Sequence, residues 1–214
     1  MNYWKIDKED VCNGEGLRVV LWLSGCSHKC KGCQNPQTWD ANSGIPFDES
    51  AKEELFRELD KDYISGLTLT GGDPLFESNL DDVLDLVNEV NERYNTPQDK
   101  VYVTDKNNNI LMSFPNEIRL SSPKKSIWMY TGYTWEEIWD YGIYGTDLYG
   151  KPWKSYGILQ IQMQEIIKQC DILVDGQYVE VQRDITLQYR GSKNQRLIDV
   201  KQSLQKGEVI LWKQ

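Results

Sequence analysis

Leu17 to Ser24 reads LRVVLWLS and stops at Gly25, directly before three cysteines that fall within residues 26–33. A β-branched and aromatic run this short, bounded by glycine, is a buried strand rather than a helix. Such a chain must present its chemistry at the end of a strand. Whatever Cys26, Cys30 and Cys33 do, they do it there.

The same punctuation recurs downstream. Asp48-Glu49-Ser50-Ala51 opens a helical pattern with Leu55, Phe56 and Leu59 on one face, and a strand over Gly66 to Thr70 stops at Gly71-Gly72. Asn79 starts a second amphipathic helix, with Leu80, Val83, Leu84, Val87 and Val90 on its apolar face and Asp81, Asp82, Asp85 and Glu89 outward. A strand over Ile127 to Tyr130, a helix over 158–170 and a strand over Ile172 to Val174 complete the rhythm. Strands alternating with helices predict βαβ units and a parallel sheet, whose ligand site lies at the carboxyl ends of the strands. Two segments break the pattern. Residues 99–126 read as an inserted hairpin, Val101 to Val103 and Ile110 to Met112 flanking the Asn-rich turn 105–109, and residues 141–157 read as an ordered aromatic loop.

Composition excludes several classes. A net charge of −9 argues against nucleic acid, whose sequence-independent affinity comes from Lys and Arg displacing counterions. Val19 to Leu23, the longest apolar run near the start, is far short of the ~20 residues that span a bilayer. Five cysteines make an odd count without a pairing rhythm, and Met1 to Lys5 lacks the apolar stretch of a secretory signal, so a reducing, cytoplasmic location is expected.

Cys26-x-x-x-Cys30-x-x-Cys33 lets three thiolates converge from one loop, with Gly25 and Gly32 permitting the tight path. Three is the informative count. A closed ferredoxin cluster or structural zinc site takes four ligands, and His28, the only histidine, sits inside the loop and is poorly placed to be the fourth. Three thiolates on a four-iron cluster leave one iron open to a substrate. The same spacing also suits a zinc ion with water in its fourth position, and spacing alone does not separate the two.

The flanks add a resemblance. GCSHKCKGCQNPQTWD from Gly25 to Asp40 resembles the radical S-adenosylmethionine (SAM) enzymes, and among them the activating enzymes of glycyl-radical proteins. TGGDPL from Thr70, YTGYTWEE from Tyr130, ILVDGQ from Ile172 and RGSKNQR from Arg190 are similar, in order and approximate spacing, to the activators of anaerobic ribonucleoside-triphosphate reductases. This resemblance implies that Cys26, Cys30 and Cys33 ligate a 4Fe-4S cluster whose open iron is chelated by SAM. It further implies that Gly71, Gly72 and Asp73 receive the methionine end, and that the main chain of Gly32, Cys33 and Gln34 lines the adenine pocket, with Asn35 and Trp39 less directly involved. Asp73 reads equally well as a turn acid before Pro74. Gly32 departs from the wider superfamily, which commonly carries a bulky residue before the third cysteine.

The implied reaction is reductive cleavage of SAM, with an electron from a flavodoxin- or ferredoxin-type donor, to a 5′-deoxyadenosyl radical that takes a glycine hydrogen from the reductase large subunit. Residues 141–157 are a lid or docking candidate, Arg190 and Asn194 to Arg196 are left unassigned, and Cys12 and Cys170 are incidental, Cys170 as a small core residue. The implied fold is α/β, an incomplete (βα) radical-SAM-type barrel. It is a curved, mainly parallel sheet of five or six strands with outer helices, formed by residues 1–214 as a single domain, because a full eight-stranded barrel takes about 250 residues. Other readings are an activase of a different glycyl-radical enzyme, although the longer barrel and extra ferredoxin-type cysteines are absent, and a zinc-binding interaction module. Oligomeric state, homodimer included, is left open.

Overall fold

The strand after which the cysteines come lies near the centre of a seven-stranded sheet. The computed structural model describes residues 1–96, 100–104, 110–115, 124–140, 143–146, 152–155 and 157–213. Its first half contains β1 (Asn2–Asp10), β2 (Leu17–Leu23), β3 (Ile45–Pro46), α1 (Glu49–Leu59), β4 (Ile64–Gly71), α2 (Leu80–Val90), β5 (Lys100–Thr104) and β6 (Ile110–Pro115). The second half adds β7 (Ser126–Tyr130), α3 (Trp135–Asp140), β8 (Ile143–Thr146), β9 (Pro152–Ser155), α4 (Ile158–Lys168), β10 (Ile172–Asp175), β11 (Arg196–Asp199) and α5 (Val200–Lys206).

The main sheet runs β11-β10-β7-β4-β2-β1-β3 and does not close. Its four central strands, β10, β7, β4 and β2, are parallel, and they are the four strands the apolar runs predict. The flanking pairs β10–β11, β1–β2 and β1–β3 are antiparallel, so only the centre follows the parallel expectation. Five or six strands was an undercount. β3 and β11 are very short, and β1 carries Lys5, Asp7, Lys8, Glu9 and Asp10, the charged pattern of a strand exposed near a sheet edge.

Side-chain alternation sorts the sheet into two faces. Val19, Leu21 and Leu23 of β2, Leu67 and Leu69 of β4, Ile127 and Met129 of β7 and Leu173 of β10 join one core with residues of all five helices. Among the described residues, helices therefore cover this face only, as an outer layer. In α1, Asp48 caps the amino end by accepting the Ala51 N–H at 3.0 Å, and Leu55, Phe56 and Leu59 are buried. In α2, Leu86 is buried beside Leu80, Val83, Val87 and Val90, while Leu84 is half-buried against the same core.

The other face holds Trp128, Val174 and Leu197, covered by Tyr130, Tyr189 and Trp212. The Trp212 N–H donates to the Leu197 carbonyl at 2.8 Å, so the chain's end lies along β11. The two irregular segments also contain strands. β5 and β6 pair antiparallel, with Val101 opposite Phe114, while the Asn-rich turn between them lies outside the described residues. Within 141–157, the lid or docking candidate, β8 and β9 pair antiparallel instead of forming an aperiodic loop, and most of the remaining segment lies outside the described residues. Four-residue strands are too short to print a period in sequence. Among the described residues no helix is long and apolar enough to cross a membrane.

Candidate functional site

The strand ends β2 and β4 are joined by main-chain hydrogen bonds. The Gly72 N–H donates to the Leu23 carbonyl at 2.8 Å and the Asp73 N–H to the Gly25 carbonyl at 2.7 Å. Gly25 and Cys26 in turn donate to the Thr38 and Trp39 carbonyls at 2.8 and 3.0 Å, closing the base of the cysteine loop. Asn79, buried before α2, donates its side-chain amide to the Ser24 carbonyl at 2.8 Å and the Asp73 carbonyl at 3.3 Å. In sequence Asn79 reads as a helix start, yet its side chain makes no cap and instead bolts these two strand ends together.

Cys26, Cys30 and Cys33 are half-buried and none is in a disulfide. Burial pushes the Cys26 thiol up, while N–H groups of Lys29 and His28 pull it back down. Burial likewise raises Cys30, against an N–H from Tyr178. Cys33 Sγ accepts the Asn35 N–H at 3.4 Å. N–H groups aimed at sulfur stabilise thiolate, the form that binds metal. Lys29 holds a left-handed φ of 45° within the loop.

Asp73 is buried and already engaged. Its Oδ1 accepts the Leu75 N–H at 2.9 Å, its Oδ2 the Gly132 N–H at 3.0 Å, and Thr131 Oγ1 donates to both at 2.9 and 3.0 Å. Sequence reasoning missed Thr131 and Gly132, although both lie in the motif it quotes. Gly32 and Gln34 are exposed on the outer limb of the loop. Gly32 faces the Glu180 side chain, so a Cβ there would collide with that carboxylate.

A cavity of about 790 Å³ opens beside the first thiol, with Cys26, Ser27, Lys29, Trp39, Asp40 and Phe76 in its wall. Gly32 and Gln34 are not in that wall. Trp39 Nε1 is buried with no hydrogen-bond partner among the described residues. A second cavity, about 430 Å³, lies at the ends of β7 and β10 and includes Gly132, Thr134, Glu137, Gly176, Asn194 and Arg196. Here RGSKNQR folds onto VDGQ. Gln195 Nε2 donates to the Gly176 carbonyl at 3.0 Å, Asn194 Nδ2 to the Gln177 carbonyl at 2.8 Å, and Arg190 to the Gln195 carbonyl at 2.9 Å. Arg196 forks between Asp175 and Glu136, which raises its own pKa and holds the Glu136 carboxyl below the usual range.

A family profile described as "4Fe-4S single cluster domain" matches residues 12–105 and again 102–198. The anaerobic ribonucleoside-triphosphate reductase-activating protein of Enterobacteria phage T4 is 35% identical over 197 residues, 92% of this chain and 93% of the phage protein. Those of Pasteurella multocida and Escherichia coli K12 are each 32% identical, over 91% of this chain and 95% and 96% of their own. The chain belongs to this family of activating proteins.

The reductase-activating family thus brings a 4Fe-4S domain with it, and the donor set can be tested against that group. Three thiols on one loop, with Cys33 Sγ receiving the Asn35 N–H, are soft donors of the kind an iron–sulfur cluster takes. Among the described residues, no three His, Cys, Asp or Glu side chains stand close enough to share a single ion.

In this activating protein Gly72 has a second neighbour to satisfy besides any ligand. A Cβ there would fall 2.4 Å from the Gly25 carbonyl oxygen and 2.9 Å from that of Thr38, both main chain. Gly72→Ala is therefore expected to lose about 2–3 kcal/mol of stability through overpacking. Urea unfolding checks this, and a wild-type midpoint would show that the two strand ends do not need their close approach.

Proposed function

We propose that the chain reductively cleaves SAM at a 4Fe-4S cluster held by Cys26, Cys30 and Cys33, and thereby generates the glycyl radical of an anaerobic ribonucleoside-triphosphate reductase. The observation that carries this reading is the three-thiol loop bonded at its base to the Gly71-Gly72-Asp73 end of the adjacent parallel strand, in a member of the activating family. When bound, the cluster supplies the electron that breaks the sulfonium carbon–sulfur bond of SAM.

The protein's own part is binding, orientation and shielding. Three thiols leave one metal corner uncovered. Gly71, Gly72 and Asp73 receive the methionine end of SAM, with the Asp73 carboxylate held by Thr131, Gly132 and Leu75. The main chain of Gly32, Cys33 and Gln34 meets the adenine. The reductase large subunit covers the strand ends during reaction, and a flavodoxin- or ferredoxin-type protein delivers the electron.

Anaerobic reconstitution with iron and sulfide tests this. The expected result is about four irons per chain, cleavage of SAM to methionine and 5′-deoxyadenosine on reduction with dithionite, and a glycyl-radical signal once the reductase is added. Tight zinc binding with no SAM cleavage would overturn it.

A further inference from the structure

One side chain of the cysteine loop is turned inward. Lys29 and Lys31 are exposed, whereas the His28 side chain is only 9% exposed. Its ring meets Tyr133 edge-on, with centroids 4.5 Å apart and planes at 75°. It also fills the space that a side chain at position 132 would take, since a Cβ on Gly132 would fall 2.3 Å from the ring Cδ2. His28 Nε2 lies 3.0 Å from Asp73 Oδ2, off the line of a formed hydrogen bond, and has no other polar partner.

Asp73 follows β4, and Gly132 and Tyr133 follow β7, so one ring rests on the ends of two parallel strands. We propose that His28 is a positioning residue that seats the three-cysteine loop on those strand ends before any metal arrives, and that residue 132 is glycine because the seat must be empty. Ordering a free loop opposes ligand assembly through lost backbone entropy. A buried ring between Cys26 and Cys30 makes that ordering a property of the folded chain. The functional consequence rests on the cluster reading above, whereas the seating belongs to the metal-free chain.

Lys29 and Lys31 are trypsin sites within the loop, so limited proteolysis of metal-free, reduced protein reads the seating directly. His28→Ala is expected to speed cleavage after these lysines about tenfold by raising the open population. Gly132→Ala should do the same by evicting the ring, and the double variant should be no faster than His28→Ala, because the clash needs the histidine. After iron and sulfide loading, the reduced-cluster EPR signal should change in both single variants, and the double variant should match His28→Ala. Wild-type proteolysis in His28→Ala, or effects that add in the double variant, would overturn the proposal. If the wild-type chain binds no iron, the cluster reading fails while the proteolysis still decides the seating.

Discussion

Alanine at any one of Cys26, Cys30 or Cys33 is expected to abolish stable iron binding and to lower SAM cleavage by more than about 100-fold, beyond the loss typical of removing an outer-shell partner. Each thiol is half-buried on the same loop, and none is in a disulfide. Cys170→Ala is the control. That thiol is fully buried at the end of α4, contacts the Ile166 carbonyl at 3.5 Å, and is pushed far up by burial, which leaves it inert. Its removal should trim about 1 kcal/mol of stability at most and leave iron content unchanged. Iron analysis and SAM turnover check both; equal loss from Cys170→Ala and Cys30→Ala would contradict the ligand set.

The largest effect on stability is expected at Arg18. Its guanidinium is buried at the amino end of β2 and pushed down to about 10 by desolvation. No carboxylate pairs with it among the described residues. It donates instead to Thr68 Oγ1, the Leu67 carbonyl, the Ser126 hydroxyl and carbonyl, and the Glu15 carbonyl, over distances of 2.7 to 3.2 Å. It also stacks on Trp128 at 5.3 Å. One side chain thus ties β2 to β4 and, past it, to β7. Arg18→Ala should cost about 3–5 kcal/mol, because buried acceptors lose their donors and a cavity forms beneath Trp128. Arg18→Met, which restores bulk but no donor, should recover roughly 1–2 kcal/mol of that. Urea midpoints at constant slope measure both, and a loss below about 1 kcal/mol for Arg18→Ala would refute the tie.

The central strands were legible because each is an apolar run ended by glycine, as in LRVVLWLS before Gly25 or Gly66 to Thr70 before Gly71. Helices α1 and α2 were legible from 3.6-residue spacing. The strands of the main sheet that escaped, β1, β3 and β11, are charged or very short, and β3 and β11 pair with residues more than 20 positions away. Arg18 escaped for a related reason. A charge inside an apolar run gives no sign of its acceptors when all but the Glu15 carbonyl are main-chain carbonyls and hydroxyls 49 to 108 residues away.

In the site itself, local spacing was enough for the ligand candidates and for the expectation that they stand at a strand end. Cys26, Cys30 and Cys33 lie within one loop, so eight residues of sequence contain the pattern. The Gly71-Gly72-Asp73 turn was equally visible, but its work was not. Its glycines admit the Gly25 and Thr38 carbonyls, and its carboxylate binds Thr131 and Gly132 at the end of another strand. His28 was weighed only as a fourth ligand, since a sequence shows which side chains share a loop and not which way each turns. The thiol pattern and the alternating strands are properties of short-range order and were settled by the sequence alone. The inward turn of His28, the Asn79 bolt and the Arg18 tie were decided by tertiary structure, because each depends on parallel strands placing residues side by side that the chain keeps far apart.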